Sequence, residues 1–415
     1  MYRHGPVTAI LGATYSGRVA SGNTPVSRLI DEVVSEHAPF LEFFDKYTAR
    51  GASAIADFVA GNPQEMPLDS FVAALLKWTK PTSKDHFAYK QNVPEAVRAV
   101  RASLAKRRGI QYETDDIFMT TGAFAALSIS IRVLCDPGDE VIYLSPPWFF
   151  YRGMIRTNGA VPVRVPVDEK TWDIPIDEVD AAITAKTRAI IVNSPCNPTG
   201  RMYPRADLDR LASVLTAASK RTGRPIFLIS DEAYSRILFA GARYVSPTES
   251  YPHSLLIYTY GKQLLTPGER MGYIALPPSL PRADRDALRN AITMTQVLLG
   301  WMWPNATLQY AAAEIEEMSI DIPHLQRKRD RMVKGLRDAG YKLNVPDGTF
   351  YILVDSPWPD ADAFVEHLAS KGVLVLPGAT FEMPKHFRIS VTASDEMIER
   401  SLPVFAAAIK QPARV

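Results

Sequence analysis

The chain has 415 residues, more than one ordinary hydrophobic core organises, so two domains, or one large domain with a satellite, are expected. Apolar residues make up 47% and charged residues 22%, and Lys plus Arg (47) nearly balance Asp plus Glu (45), which gives no electrostatic basis for binding nucleic acid or a membrane surface. Cys135 and Cys196 are too few for a disulfide framework, no zinc-like spacing occurs, and no apolar run approaches the ~18 residues of a membrane helix, so a reducing cytoplasmic setting is expected.

In chain order, "VTAILGA" (7–13) is too short for a convincing signal-peptide core and is followed by Arg18 and a polar run; it reads as an ordered arm or a loose tail. Residues 25–48 place apolar side chains at helical spacing, interrupted by Pro39, which predicts an amphipathic segment of one or two helices. "AIADFVAGNPQE" reads as a short extended run ending in a turn, and 93–108 as a basic amphipathic helix whose "KRR" run is a solvated face. From 115 the pattern alternates. "DDIFMTT", "DEVIYLS", "RAIIVNSP", "PIFLISD" and "SLLIYTYG" read as strands, and "GAFAALSISIRVL", "PPWFFYRGMI", "PRADLDRLASVLTAASKRTG" and "EAYSRILF" as the helical segments between them. This alternation predicts an α/β fold with a mostly parallel, doubly wound sheet. The last hundred residues differ: "IPHLQRKRDRMVKGLRDAG" and "DADAFVEHLASKG" are helical, while "YKLNV", "TFYILVD", "GVLVLPG" and "HFRISV" are strand-like. The expected division is an N-terminal arm with part of a small domain (1–72), a large domain (73–314) and a small α+β C-terminal domain (315–415).

Each strand of the middle third ends in polar residues: Thr120–Gly122, Ser145–Trp148, Asn193–Asn197, Ser230–Glu232 and Thr259–Lys262. Polar turns commonly follow strands. Five together, with an acid, a lysine and the nearby Arg270, instead fit the ligand crevice beyond the carboxyl ends of an open α/β sheet. No G-x-G-x-x-G occurs, which argues against a dinucleotide site, and "GATYSGRV" (12–19) fails as a P-loop because Arg18 and Val19 replace the Lys and Ser/Thr. Gly122, by contrast, joins a strand to a helix, so the free N–H groups of Gly122, Ala123 and Phe124 form an anion site. Arg270 adds a bidentate fork, Thr259 a hydroxyl, Lys262 an amine for a Schiff base, and a carboxylate can pair with a protonated ring nitrogen. Together these parts describe a site for pyridoxal 5'-phosphate.

From about 85 to 395 the chain resembles the class I/II aminotransferases, fold-type I pyridoxal phosphate enzymes of the aspartate aminotransferase kind. The resemblance rests on "TTGAFAAL", "SPPWFFY", "NSPCNPTG", "SDEAY", "TYGKQLLTPGERMGY" and "FRISVTAS", in that order and spacing. It implies that Gly122, Ala123 and Phe124 hold the phosphate through their amides, with Thr259 standing where serine is usual, and Arg270 beside them. Trp148 stacks on the ring; Asn197 and Tyr234 bond its hydroxyl; Asp231 pairs with its nitrogen. Lys262 condenses with its aldehyde and then acts as general base, and Arg388 binds the substrate α-carboxylate. The plainer readings are a core aromatic for Trp148, turn chemistry for Asn197, a helix cap for Asp231 and a water-facing edge arginine for Arg388. A tyrosine that reaches the neighbouring subunit's phosphate has no clear counterpart: Phe87 falls at its place and Tyr89 two residues on.

The implied function is ping-pong transfer of an amino group from an L-amino acid to a 2-oxo acid by a homodimer. The region 291–309 carries no arginine of the kind some dicarboxylate-specific relatives use, and Met294, Leu298, Leu299, Trp301, Met302 and Trp303 read as an apolar wall, a helix core or a dimer interface. The first reading favours neutral, bulky or aromatic donors, with aspartate still open. The same cofactor machinery also runs lyase, decarboxylase and oxidase reactions. A non-enzymatic ligand sensor on this fold is the less favoured alternative: it usually brings a fused DNA-binding helix-turn-helix, and the first seventy or so residues show no basic recognition helix.

Overall fold

The computed structural model describes residues 25–51, 53–239 and 241–410; "VTAILGA" and "GATYSGRV" lie outside them. After a short strand β1 (Ala56–Asp57), seven strands build the main sheet: β2 (Ile117–Thr120), β3 (Glu140–Ser145), β4 (Val161–Pro166), β5 (Thr187–Asn193), β6 (Phe227–Asp231), β7 (Ser254–Thr259) and β8 (Gly272–Ala275). Their spatial order is β2-β8-β7-β6-β5-β3-β4, parallel throughout except that β8 runs against both neighbours. The interior strands are near-continuous apolar runs because helices cover both faces. On β5, Ile190 and Val192 enter one core with Leu211 and Leu215, whereas Ala189 and Ile191 enter the other with Ala125 and Ile129. That period of two is the pleat.

A second unit gathers the ends of the chain. β9 (Tyr351–Asp355), β10 (Val373–Leu374), β11 (Leu376–Pro377) and β12 (His386–Ser390) follow. β11-β12-β9 form an antiparallel sheet, and β10 pairs in parallel with β1. Phe58 therefore shares a core with Met332, Phe350, Phe364, Phe387 and Phe405, residues some 300 positions away. The helix Ile322–Ala339 packs its apolar side into this core and ends at Gly340 in the left-handed region (φ 101°). The expected α/β fold with a smaller α+β unit made from both chain ends is what is found.

Three local expectations are corrected. "EAYSRILF" is a chain of turns, not a helix: Ala233 N–H bonds the Asp231 carboxylate, Ser235 N–H bonds Glu232 O and Ile237 N–H bonds Tyr234 O. The segment is then held by Asp347 and Thr349, and Leu238 bridges Gly348. "YKLNV" contributes only the single bridge Leu343–Val354. In "PPWFFYRGMI" the helix spans only Tyr151–Thr157, because Pro146 and Pro147 hold the preceding turn out of helix. Strands β4 and β8 escaped recognition. β4 is an exposed edge carrying Pro162 and Pro166, and β8 has four residues straight after a turn.

Candidate active site

The carboxyl ends of β2, β3, β5, β6 and β7 lie along one edge of the sheet, and the second unit closes over it. Between them is a cavity of 490 Å³ lined by Ala123, Phe124, Trp148, Asn197, Asp231, Tyr234, Thr259, Lys262, Arg270 and Arg388, all of them singled out from the sequence. Gly122 sits immediately behind Arg270.

The antiparallel course of β8 explains why Lys262 and Arg270 meet. Lys262 leaves the end of β7 in the short helix Tyr260–Gln263, and the chain turns back through Pro267 and Gly268. It re-enters the sheet between β2 and β7 with Gly272 opposite both Thr120 and Thr259. Arg270, two residues before that entry, therefore lands on the same edge. Glycine is required at both contact points. A Cβ on Gly272 would stand 2.3 Å from Tyr258 O, and one on Gly122 (φ 79°) would stand 2.8 Å from Arg270 Nη2.

This end of the cavity has the makings of an anion site. Gly122 begins the 13-residue helix Gly122–Leu134, whose first N–H groups have no helical acceptor. Arg270 donates Nη1 to Pro267 O (2.8 Å) and has no ion pair among the described residues; the desolvation that lowers its pKa goes uncompensated. Thr121 Oγ1, one residue before the helix start, is buried with no hydrogen-bond partner among the described residues, but Thr121 does not line the cavity.

At the opposite side Asp231 is buried. Its carboxylate accepts from Tyr151 Oη (2.5 Å) and Ala233 N (3.2 Å). Burial raises its pKa, while the Tyr151 and Ala233 hydrogen bonds and then the charge of Lys262 pull it back down. Asn193 braces the site: its Nδ2 donates to Asp231 O (2.9 Å) and its Oδ1 accepts from Asn197 N (2.8 Å). Trp148 lies edge-on to Phe124, with ring centroids 4.4 Å apart. Lys262 Nζ is 5.9 Å from the centre of the Tyr234 ring.

Arg388, on β12, is the cation that the second unit contributes to the described cavity lining. Only 3% of it is exposed, yet it has no carboxylate partner among the described residues. Nη1 donates to Asn197 Oδ1 (2.9 Å), Nη2 to Val59 O (2.8 Å), and the guanidinium stacks 3.9 Å above the Tyr351 ring. Nε is buried and unbonded. Burial lowers its pKa; conversely Arg388, and after it Lys262, brings the Tyr351 phenol below its ordinary value despite burial. The plainer reading of Arg388 as a water-facing edge residue does not hold.

Other expected residues lie elsewhere. Phe87 and Tyr89 are 61% and 86% exposed and do not line the cavity. Met294, Leu298, Leu299, Trp301 and Met302 are likewise exposed, and neither they nor Trp303 line it; the apolar wall comes instead from Phe40, Phe44, Phe149, Phe150 and Leu376. Sequence reading gave no role to Tyr151, Tyr351, Thr121 or Val59. Tyr151 had a signal, standing three residues after Trp148 in a strand-end motif. Val59 had none, since it acts through its carbonyl.

No helix among the described residues is long and apolar enough to cross a membrane. Comparison with known proteins matches residues 55–404 to the family Aminotransferase class I and II. The aspartate/prephenate aminotransferase of Thermus thermophilus is 32% identical over 327 residues, 78% of this chain and 83% of that protein. The probable aspartate aminotransferase of Methanocaldococcus jannaschii is 29% identical, over 77% and 84%. Among solved structures, an aminotransferase from Eubacterium rectale superposes with a TM-score of 0.88 at 30% identity, over 94% of this chain and all of that one. The aspartate aminotransferase of Thermus thermophilus with maleate gives 0.78 at 27%, over 93% and 100%. A match of that extent, on a chain whose cavity pairs a lysine with a buried aspartate, makes this protein a member of the class I and II aminotransferases, enzymes that use pyridoxal 5'-phosphate to move amino groups between amino acids and 2-oxo acids.

Proposed function

We propose that this enzyme takes its amino group from an L-amino acid with a bulky apolar or aromatic side chain and passes it to a 2-oxo acid in two successive half-reactions, as a homodimer. The cavity fits the cofactor. An unpaired guanidinium, the Thr259 hydroxyl and a glycine-started helix meet at one end, and a buried carboxylate feels the charge of a lysine at the other. When bound, pyridoxal phosphate supplies the electron sink that makes the Cα proton removable.

The residues divide the remaining work. The amides of Gly122, Ala123 and Phe124, the Thr259 hydroxyl and the Arg270 fork bind the phosphate. Asp231 would hold a proton on the ring nitrogen, and Tyr151 fixes which way that carboxylate faces. Asn197 and Tyr234 would bond the ring hydroxyl, and Trp148 would pack against the ring. Lys262 Nζ would hold the cofactor's aldehyde and is the base for the substrate's Cα proton. Arg388, pre-aimed by Asn197 and Val59 O, takes the α-carboxylate; desolvation without an acidic partner is a state that a carboxylate ligand relieves.

The observation that carries the donor class is a count of charges. Lys262, Arg270 and Arg388 are the three cations lining the cavity, and each already has a function. None is left among the described residues for a second substrate carboxylate, while Phe40, Phe44, Phe149, Phe150 and Leu376 offer an apolar wall. The names of the relatives favour aspartate instead, and that reading needs a cation from outside this set. Mixing the holoenzyme with phenylalanine, leucine or aspartate and following the cofactor absorbance distinguishes them. Phenylalanine or leucine is expected to react with the higher specificity constant; a clear preference for aspartate overturns the apolar reading. The exposed Met294, Leu298, Trp301, Met302, Phe87 and Tyr89 support a subunit interface, which sedimentation analysis tests.

A further inference from the structure

Outside the catalytic cavity, a concavity of 280 Å³ is lined by Arg107, Arg108, Arg205, Arg243, Tyr244 and Glu249. Its charges do not balance. Arg205 is matched, donating to Glu249 (2.5 Å) and to Ser250 Oγ (3.2 Å). Arg108 gives Nη2 to the buried Glu232, but its Nη1 is buried without a partner. The Tyr244 hydroxyl is also buried, beside the Glu232 carboxylate but closing no hydrogen bond among the described residues, and the Arg108 guanidinium lies 5.4 Å from the centre of that ring. Among the described residues Arg107 finds only neutral oxygens, Ser103 Oγ at 3.1 Å and Glu316 O at 3.2 Å. Arg243 is exposed.

Two guanidiniums with no carboxylate partner among the described residues thus share one concavity with an Arg108 N–H and a Tyr244 hydroxyl that are buried and close no hydrogen bond there. Each unsatisfied buried donor is costly unless a ligand completes it. All four groups are donors, so the missing piece is an acceptor, and the surplus charge makes it an anion. A flat carboxylate serves one fork at a time. A tetrahedral oxyanion presents acceptors in several directions at once, as converging guanidiniums and a phenol require. We propose that this concavity binds a phosphate group, either free or carried on a small monoester. None of its lining residues lines the catalytic cavity, and the proposal does not rest on the donor reading above.

The test is a calorimetric or ³¹P NMR titration of the holoenzyme, whose catalytic cradle is occupied by its own cofactor phosphate, with inorganic phosphate and separately with glycerol phosphate. One saturable site per chain is expected for at least one probe. Arg243→Gln and Arg107→Gln should each weaken it about tenfold, a step of about 1.4 kcal/mol. Both arginines are exposed, so the variants should keep the visible spectrum of the wild type. Tyr244→Phe, which removes one oxygen alone, should weaken binding severalfold and guards against a folding artefact in the arginine variants. The proposal is overturned if neither probe saturates, or if binding persists undiminished in the Arg107→Gln/Arg243→Gln double variant. Loss of binding in Arg388→Lys with retention in that double variant also overturns it, since the anion would then sit on the substrate arginine.

Discussion

The two walls of the catalytic cavity are built in different ways. The wall made by the main sheet works through backbone: glycines at 122 and 272 let strands and side chains approach, helix amides face outward, and the return of β8 sets Arg270 beside Gly122. The wall made by the second unit works through one buried side chain, Arg388, fixed by partners 191 and 329 positions away in sequence. One wall is suited to an occupant that stays, because main-chain donors are rigid. The other is suited to an occupant that comes and goes, because it joins two packed units whose contacts are long-range.

Breaking the permanent side outright is the most severe test. Lys262→Ala should reduce turnover by about 10⁴-fold and remove the visible absorbance of the holoenzyme. A purified variant that keeps that absorbance would falsify the assignment of the lysine. Next comes the exchangeable side. Arg388→Gln should raise the KM for the amino acid by about 100-fold while leaving cofactor affinity intact, the scale of one buried charge-assisted contact. Equal damage to cofactor and substrate binding would erase the distinction between the walls.

Tyr151→Phe sharpens the comparison within the first wall and should cost about tenfold in kcat, as expected for one hydrogen bond to a charged group. Because the Tyr151 bond lowers the Asp231 pKa, its loss raises that pKa and should move the acid limb of the rate profile to higher pH. An unmoved limb would make Tyr151 a packing residue. Gly122→Ala should have the smallest effect, about 1 kcal/mol from the left-handed backbone together with displacement of Arg270. It should appear as severalfold weaker cofactor affinity with little change in substrate KM.

The sequence alone specified the permanent wall. Asp231 ends a buried strand, and Gly122, Asn197 and Lys262 follow within four residues of the ends of three others, so all four gather where the strand ends of a parallel sheet converge. It also determined the α/β alternation and the helices at 94–108, 205–222 and 322–339, where apolar spacing alone suffices. Tertiary structure decided the rest. β4 and β8 exist because neighbours supply their hydrogen bonds, and "EAYSRILF" forgoes a helix because Asp347 and Thr349 engage its backbone. Tyr151 finds Asp231, and Arg388 finds Val59, only when distant segments pack. The reason is the range of the interaction: periodicity and caps act over one or two turns of chain, whereas a hydrogen bond spanning 329 positions is written nowhere near either partner.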